Sequence, residues 1–348
     1  MITRSPVVLQ RQASSQPDAV PLMLPPAWQA QLSGAIRDPG ELCRRLGLDD
    51  SWLPGAERGH ALFDVRVPEA FLARMRHGDP DDPLLRQVLP LAAEDKILPG
   101  YVSDPLAEAD HTPARGVIHK YAGRVLLIAS PVCAVNCRYC FRRHFPYEQN
   151  APSRSQWDVS LEYLHGDTSI SEAILSGGDP LATSDRQLAW LVGRLDNVPH
   201  LKRLRIHTRL PVVIPDRVDD TLLGWLSATR LQKVVVLHIN HANEIDDAVV
   251  AACERLKGAG ATLLNQSVLL RGVNDSVDAL ASLSERLFEA GILPYYLHVL
   301  DPVEGAAHFD VIDEEARELV AGLRETLPGF LMPRLVREIP GEASKTPL

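Results

Sequence analysis

The chain has 348 residues, 45% of them apolar and 23% charged, and carries a formal net charge of −9 with an isoelectric point near 5.7. That length buries a large core, as one barrel with an appendage or as two domains, while the acidic balance speaks against a general binder of nucleic acid or anionic membrane, which needs a basic face. With no signal-like apolar stretch at the N-terminus and no run of about 18 apolar residues, neither a membrane span nor export is expected, and the protein reads as cytoplasmic.

Residues 1–22 mix Ser, Gln, Pro and charge without periodicity and read as a flexible lead-in. Residues 23–115 form a mostly helical region. Within it, Pro68-Glu-Ala-Phe71-Leu72-Ala-Arg-Met75 places a proline at a first helical position and apolar residues on one buried face. Cys43 and Cys253 lie in helix-like runs and read as buried thiols acting as small apolar side chains.

From 116 to 332 short apolar runs alternate with amphipathic helices, the pattern of βα units around a parallel sheet. Strands are expected at Val125–Ala129, Glu172–Leu175, Arg203–His207, Val234–Ile239, Thr262–Leu269 and Pro294–Leu300. Helices are expected at Arg186–Leu195, at Asp247–Lys257 with Gly258 as the stop, and at Val277–Ala290 with Asp275 and Ser276 as caps. Six such units make an α/β fold, a partial (β/α)6 TIM-like barrel with a helical N-terminal extension; residues 333–348 close the chain as a separate segment. In parallel barrels chemistry gathers where strands end, and there stand the cysteine loop, Ser176-Gly177-Gly178-Asp179, His207, His238, Gln266 and Asp301.

The cysteine loop, Cys133-Ala-Val-Asn-Cys137-Arg-Tyr-Cys140, offers three thiolates and no fourth. Thiolates select iron-sulfur clusters and zinc, and three of them on an iron-sulfur cube leave one iron open. A structural zinc site wants a fourth ligand, for which His144 is the candidate. Histidines at strand ends also suit a metal-dependent hydrolase, ranked lower because cysteines, not an Asp or His pair, end the first strand.

The spacing C-x3-C-x2-C, followed by Phe141-Arg142-Arg143-His144-Phe145, resembles the signature of radical S-adenosylmethionine (SAM) enzymes. Together with Lys120-Tyr121-Ala-Gly-Arg124 before it, Ser176-Gly177-Gly178-Asp179-Pro180 after it and the closing Pro340-Gly341-Glu342-Ala343-Ser344-Lys345, the chain resembles the lysine 2,3-aminomutase family from about Trp28 to its last residue. The likeness is strongest to a short bacterial branch that supplies (R)-β-lysine for attachment to elongation factor P.

That resemblance implies a set of roles. Cys133, Cys137 and Cys140 hold a [4Fe-4S] cluster whose open iron binds SAM, and a reductant supplies one electron. The glycines of Ser176-Gly177-Gly178-Asp179 let backbone approach SAM, and Asp179 accepts from its ammonium; Tyr139, His238 and Gln266 line the same pocket. Lys345 carries pyridoxal 5′-phosphate (PLP), whose phosphate Tyr121 and Arg124 hold. Arg142 grips the carboxylate of L-lysine, and Asp301 and Glu338 face its ε-ammonium. Two departures stand out: Gly-Glu-Ala-Ser replaces the family's glycine run, and Glu338 stands where free-lysine mutases carry aspartate. The implied activity is an isomerase making (R)-β-lysine, linked indirectly to elongation factor P and its lysyl-ligase. The alternative is a mutase of free lysine, arginine or glutamate, the last disfavoured by the two carboxylates; a non-catalytic metal-binding protein lies further off.

Overall fold

The computed structural model describes residues 26–150 and 157–348, so the lead-in expected over 1–22 lies outside the described residues. Among the described residues nine strands form one sheet in chain order: β1 Val117–Tyr121, β2 Arg124–Ser130, β3 Glu172–Gly177, β4 Arg203–Thr208, β5 Gln232–Leu237, β6 Ala261–Val268, β7 Leu293–His298, β8 Arg334–Arg337 and β9 Thr346–Pro347. Strands β2 to β8 run parallel, and β1 and β9 pair antiparallel at the two edges. Helices Trp157–Gly166, Asp185–Asp196, Asp220–Ala228, Asp247–Gly258, Val277–Glu289 and Asp313–Thr326 fill the crossovers, giving the six βα units expected.

Each crossover helix buries one stripe against the sheet. In Asp247–Gly258 the stripe is Val249, Ala252, Cys253 and Leu256, at spacings of three and four residues, so Cys253 is the small core side chain expected of it. Burial pushes its thiol up to about 12. Cys43 is likewise buried. The helix continues through Gly258, the expected stop; the turn belongs to Gly260, whose φ of 85° is the left-handed geometry glycine supplies without strain. Of the two caps expected before Val277, Ser276 accepts from the Ala279 amide at 3.2 Å, whereas Asp275 accepts from Gly272 at 2.9 Å and shapes the preceding turn.

Three strands were not expected. β1 lies in the Lys120-Tyr121 block, and β8 and β9 draw the closing segment into the sheet, β8 as a seventh parallel strand beside β7. At four and two residues, β8 and β9 are too short for an alternating pattern to register. In the N-terminal region Pro68 caps the one-turn helix Glu69–Leu72 instead of opening it, and Phe71, Leu72 and Met75 are core, as expected.

Candidate functional site

The cysteine loop leaves the end of β2 and is gripped by the N-terminal helical region. Arg138 and Asn136 donate their amides to the carbonyls of Gln87 at 2.9 Å and Arg66 at 3.1 Å. The wholly buried Arg138 guanidinium forks onto Glu94, Nε to Oε1 at 2.9 Å and Nη2 to Oε2 at 2.6 Å, and donates to the carbonyls of Phe63 and Gly59. Arg143 adds a second cation to Glu94 at 2.8 Å. A buried guanidinium fork of this kind fixes orientation as well as charge. Inside the loop, burial first, and the neighbouring cysteines after it, push the Cys133 thiol well up and that of Cys140 to about 11. His144 is exposed and its Nε2 meets the Glu304 carbonyl at 3.4 Å; among the described residues no three His, Cys, Asp or Glu side chains are set to hold a single metal ion.

The Gly-Gly-Asp segment works differently from the role its resemblance implies. A Cβ on Gly178 would stand 2.7 Å from the Val132 carbonyl oxygen, and one on Gly177, at φ 118°, would stand 2.5 Å from that of Ser130. Both glycines therefore let the end of β3 pass against the strand that leads into the cysteines. Asp179 is buried and accepts four bonds: from the Leu181 amide (3.0 Å) and Thr208 hydroxyl (2.7 Å) on Oδ1, and from the Arg209 (2.8 Å) and Leu210 (2.9 Å) amides on Oδ2. A carboxylate has about four acceptor sites, so none is left for the ammonium of a ligand; Asp179 locks the end of β4 instead.

The strand ends enclose a cavity of about 950 Å³ that reaches from Cys133, Cys137 and Cys140 to Lys345. It is at the upper end of the range for small-molecule pockets, roughly 300–1,000 Å³. A ladder of alternating charge crosses it. Arg142 forks onto Glu108 with two bonds of 2.8 Å; Glu108 lies 3.7 Å from Lys120; Lys120 reaches Glu338 at 3.0 Å; and Glu338 pairs with Lys345 at 2.6 Å. The ladder spans from β1 to the residue after β8, across the gap the backbone leaves in the barrel. Two of the side chains expected to face substrate are engaged within the chain here. The fork of Arg142 that was expected to face a substrate carboxylate is filled by Glu108, its remaining Nη1 going to Ser176 Oγ at 3.0 Å and the Gly177 carbonyl at 3.2 Å. Glu338, expected to face an ε-ammonium, already serves two lysines, and against the upward push of burial these hold it far below the ordinary carboxylate range.

Asp301 is the unpaired carboxylate of the cavity. It sits in the loop after β7 rather than on the strand, and its side chain has no ion pair or hydrogen bond among the described residues. Burial, with the charge of Glu338 adding to it, pushes it up to about 7. On the opposite wall Arg124 stacks over Tyr121 at 4.5 Å and has no carboxylate partner among the described residues, which leaves a free fork beside the ladder.

Neutral polar groups fill the middle. His207 near the end of β4, His238 after β5 and His298 at the end of β7 are all depressed by burial, His238 to about 4, so they present uncharged imidazoles at pH 7. The Nε2 atoms of His207 and His298 and the Oε1 of Gln266 are buried without a partner among the described residues. Buried polar atoms are rarely left unpaired, so such atoms lining a cavity point to a bound group that completes them. Tyr139 lines the cavity with its ring edge-on to Phe309, 6.1 Å between centroids. The residues thus suit the groups the sequence implies: three thiolates for a cluster, a free guanidinium for a phosphate, a cavity-facing amine, and unpaired donors and acceptors between. Sequence reasoning missed Glu108, Arg209, Lys120 and His298 as site residues; Lys120 alone carried a signal, as part of the quoted motif.

A partial parallel barrel whose strand ends carry thiols, a lysine and unpaired polar atoms into one cavity defines an α/β-barrel enzyme. The chain belongs to the lysine 2,3-aminomutase family, and so is an enzyme of the aminomutase type, an isomerase. It is 51% identical over 322 residues to the L-lysine 2,3-aminomutase of Escherichia coli K12, covering 92% of this chain and 94% of that one. It is 48% identical over 319 residues to that of Haemophilus influenzae, covering 92% and 94%. Among solved structures, a radical SAM methyltransferase from Sphaerobacter thermophilus is similar at a TM-score of 0.42 and 17% identity, over 64% of this chain and 68% of that one. No family model matches the chain.

Proposed function

We propose that the chain is a radical SAM, PLP-dependent L-lysine 2,3-aminomutase that converts L-lysine to (R)-β-lysine. The observation that carries this reading is the single cavity joining the three-cysteine loop to Lys345 and the carboxylates Asp301 and Glu338. When bound, the cluster with SAM supplies a carbon radical able to remove a hydrogen atom, and PLP supplies a conjugated ring through which an amino group migrates.

The residues of the chain do the rest. Cys133, Cys137 and Cys140 hold the cluster, Tyr139 and the neutral His238 and Gln266 flank SAM, and Tyr121 and Arg124 hold the phosphate. Lys345 would carry PLP, and the Glu338 oxygen it pairs with here would then be open, together with Asp301, to the ε-ammonium of the substrate. Arg142 would meet the substrate carboxylate through the Nη1 it now gives to Ser176 and the Gly177 carbonyl, with Glu108 holding its other edge. Walls of buried side chains exclude water from a radical. Delivery of the product toward elongation factor P rests on the resemblance to the short family branch.

Anaerobic assay of reconstituted protein with lysine, SAM and dithionite is expected to yield β-lysine, with about four irons per chain; stoichiometric zinc and no product would overturn the reading. The pH dependence is also expected. Asp301 is ionised above about 7 and protonated below it, and only the ionised form attracts an ammonium. The KM for lysine should therefore fall as pH rises through 7. Asp301→Asn should flatten that profile and raise KM by about 30-fold or more, corresponding to about 2 kcal/mol for one partner of a buried charge pair. A wild-type KM that is constant from pH 6 to 8 would count against this role.

A further inference from the structure

Arg209 follows β4, is buried, and lines the cavity without a role in holding SAM, PLP or lysine. Its Nη1 donates to the Cys137 sulfur at 2.8 Å and to the Tyr139 hydroxyl at 2.8 Å; its Nη2 donates to Gln87 Oε1 at 2.7 Å and to Glu244 Oε2 at 2.9 Å. Asn240 ties the same cluster together, donating to Tyr139 at 2.7 Å and Gln87 at 3.0 Å. Phe71 lies beneath the guanidinium, 5.2 Å from its ring centre. The cation is thus fixed through both terminal nitrogens, its Nε being buried without a partner among the described residues, and its backbone amide is held by Asp179 as well. No cationic side chain hydrogen-bonds to Cys133 or Cys140 among the described residues, so the three sulfurs are unequal.

We propose that Arg209 is a positioning residue that sets the reduction potential of the cluster through Cys137, with Glu244 as its counterweight. The proposal rests on the reading that the cysteine loop holds a cluster. Reduction by one electron from an external donor adds a negative charge to the cluster and its sulfurs. A charged donor on one sulfur favours that state, because hydrogen bonds to sulfur and local net charge both move the potentials of such clusters. Glu244, wholly buried 2.9 Å from the same guanidinium, offsets part of that effect. The two residues should therefore act with opposite sign, which a purely structural hub does not require.

The test uses the full chain, reconstituted anaerobically without SAM or lysine, and reads the midpoint potential by a dithionite titration followed by electron paramagnetic resonance. Arg209→Leu is expected to make reduction harder by about tenfold in its equilibrium constant, about 59 mV for one electron. Glu244→Gln is expected to make it easier, and Arg209→Lys, which keeps the charge, to stay near the wild type. Midpoints that do not move, or that move the same way in Arg209→Leu and Glu244→Gln, overturn the proposal. Should Arg209→Leu fail to fold, the direction of Glu244→Gln decides: upward supports it, unchanged or downward overturns it. A wild type that takes up no cluster overturns the functional reading and this one together, whereas a loaded cluster with unmoved midpoints overturns this one alone.

Discussion

Lys345→Ala is expected to lose turnover by on the order of 10⁴ or more, the scale seen when a covalent participant is removed and only binding is left. Borohydride reduction of the wild type with PLP should mark Lys345, and the variant should carry no mark. Two lysines reach the cavity, and their surroundings separate them. Lys120 is held between two carboxylates, Glu338 at 3.0 Å and Glu108 at 3.7 Å. Lys345 has one carboxylate, Glu338, and otherwise faces the Tyr296 ring at 5.8 Å. Covalent chemistry with a carbonyl needs an amine that can leave its ion pair, and Lys345 has one paired carboxylate to leave where Lys120 has two. A pyridoxyl mark on Lys120 instead would overturn the assignment, whatever the activity of the variant.

Removing Glu94 should be the most damaging change outside the cavity. Glu94→Ala leaves Arg138 and Arg143 buried without a counter-charge, and breaking a buried pair from one side costs about 3–5 kcal/mol. Denaturant unfolding should show that loss in the midpoint. The same change frees the cysteine loop from the N-terminal helices, so iron per chain should drop even at temperatures where the variant is folded. Iron loading equal to the wild type in a folded Glu94→Ala protein would show that the clamp does not hold the cysteines in place. Glu94→Gln, which keeps two acceptor lone pairs, should fall between.

The barrel was legible because strands β2 to β7, six to eight residues of apolar or alternating pattern, are separated by helices with one buried stripe. The cysteine spacing and the strand-end positions of His207, His238 and Gln266 pointed to the end of the barrel where these residues share one cavity. What was hidden depends on partners distant in sequence. Glu108 lies in a loop rich in Pro and Asp, and nothing local marks it as the carboxylate that fills Arg142, 34 residues on. Arg209 looks like an ordinary residue after a strand, yet its partners come from Gln87, Cys137 and Glu244. Asp179 sits in a motif that invites a ligand role, and only the four donors around it show that the fold has taken the carboxylate for itself. Pattern reveals period and spacing; it does not reveal who occupies a lone pair.

The ladder from Arg142 to Lys345 also constrains how this cavity can vary. Glu108 and Glu338 each serve two cations, so losing Glu108 strands Arg142 and losing Glu338 strands Lys345, while Lys120 keeps one carboxylate in either case. Substitutions along it should be strongly non-additive, with a second change of matching sign restoring much of what the first removed. A variant lineage that reshapes this pocket for another amino acid therefore has to move through compensated pairs. Single steps from this arrangement leave an end of the ladder without its counter-charge.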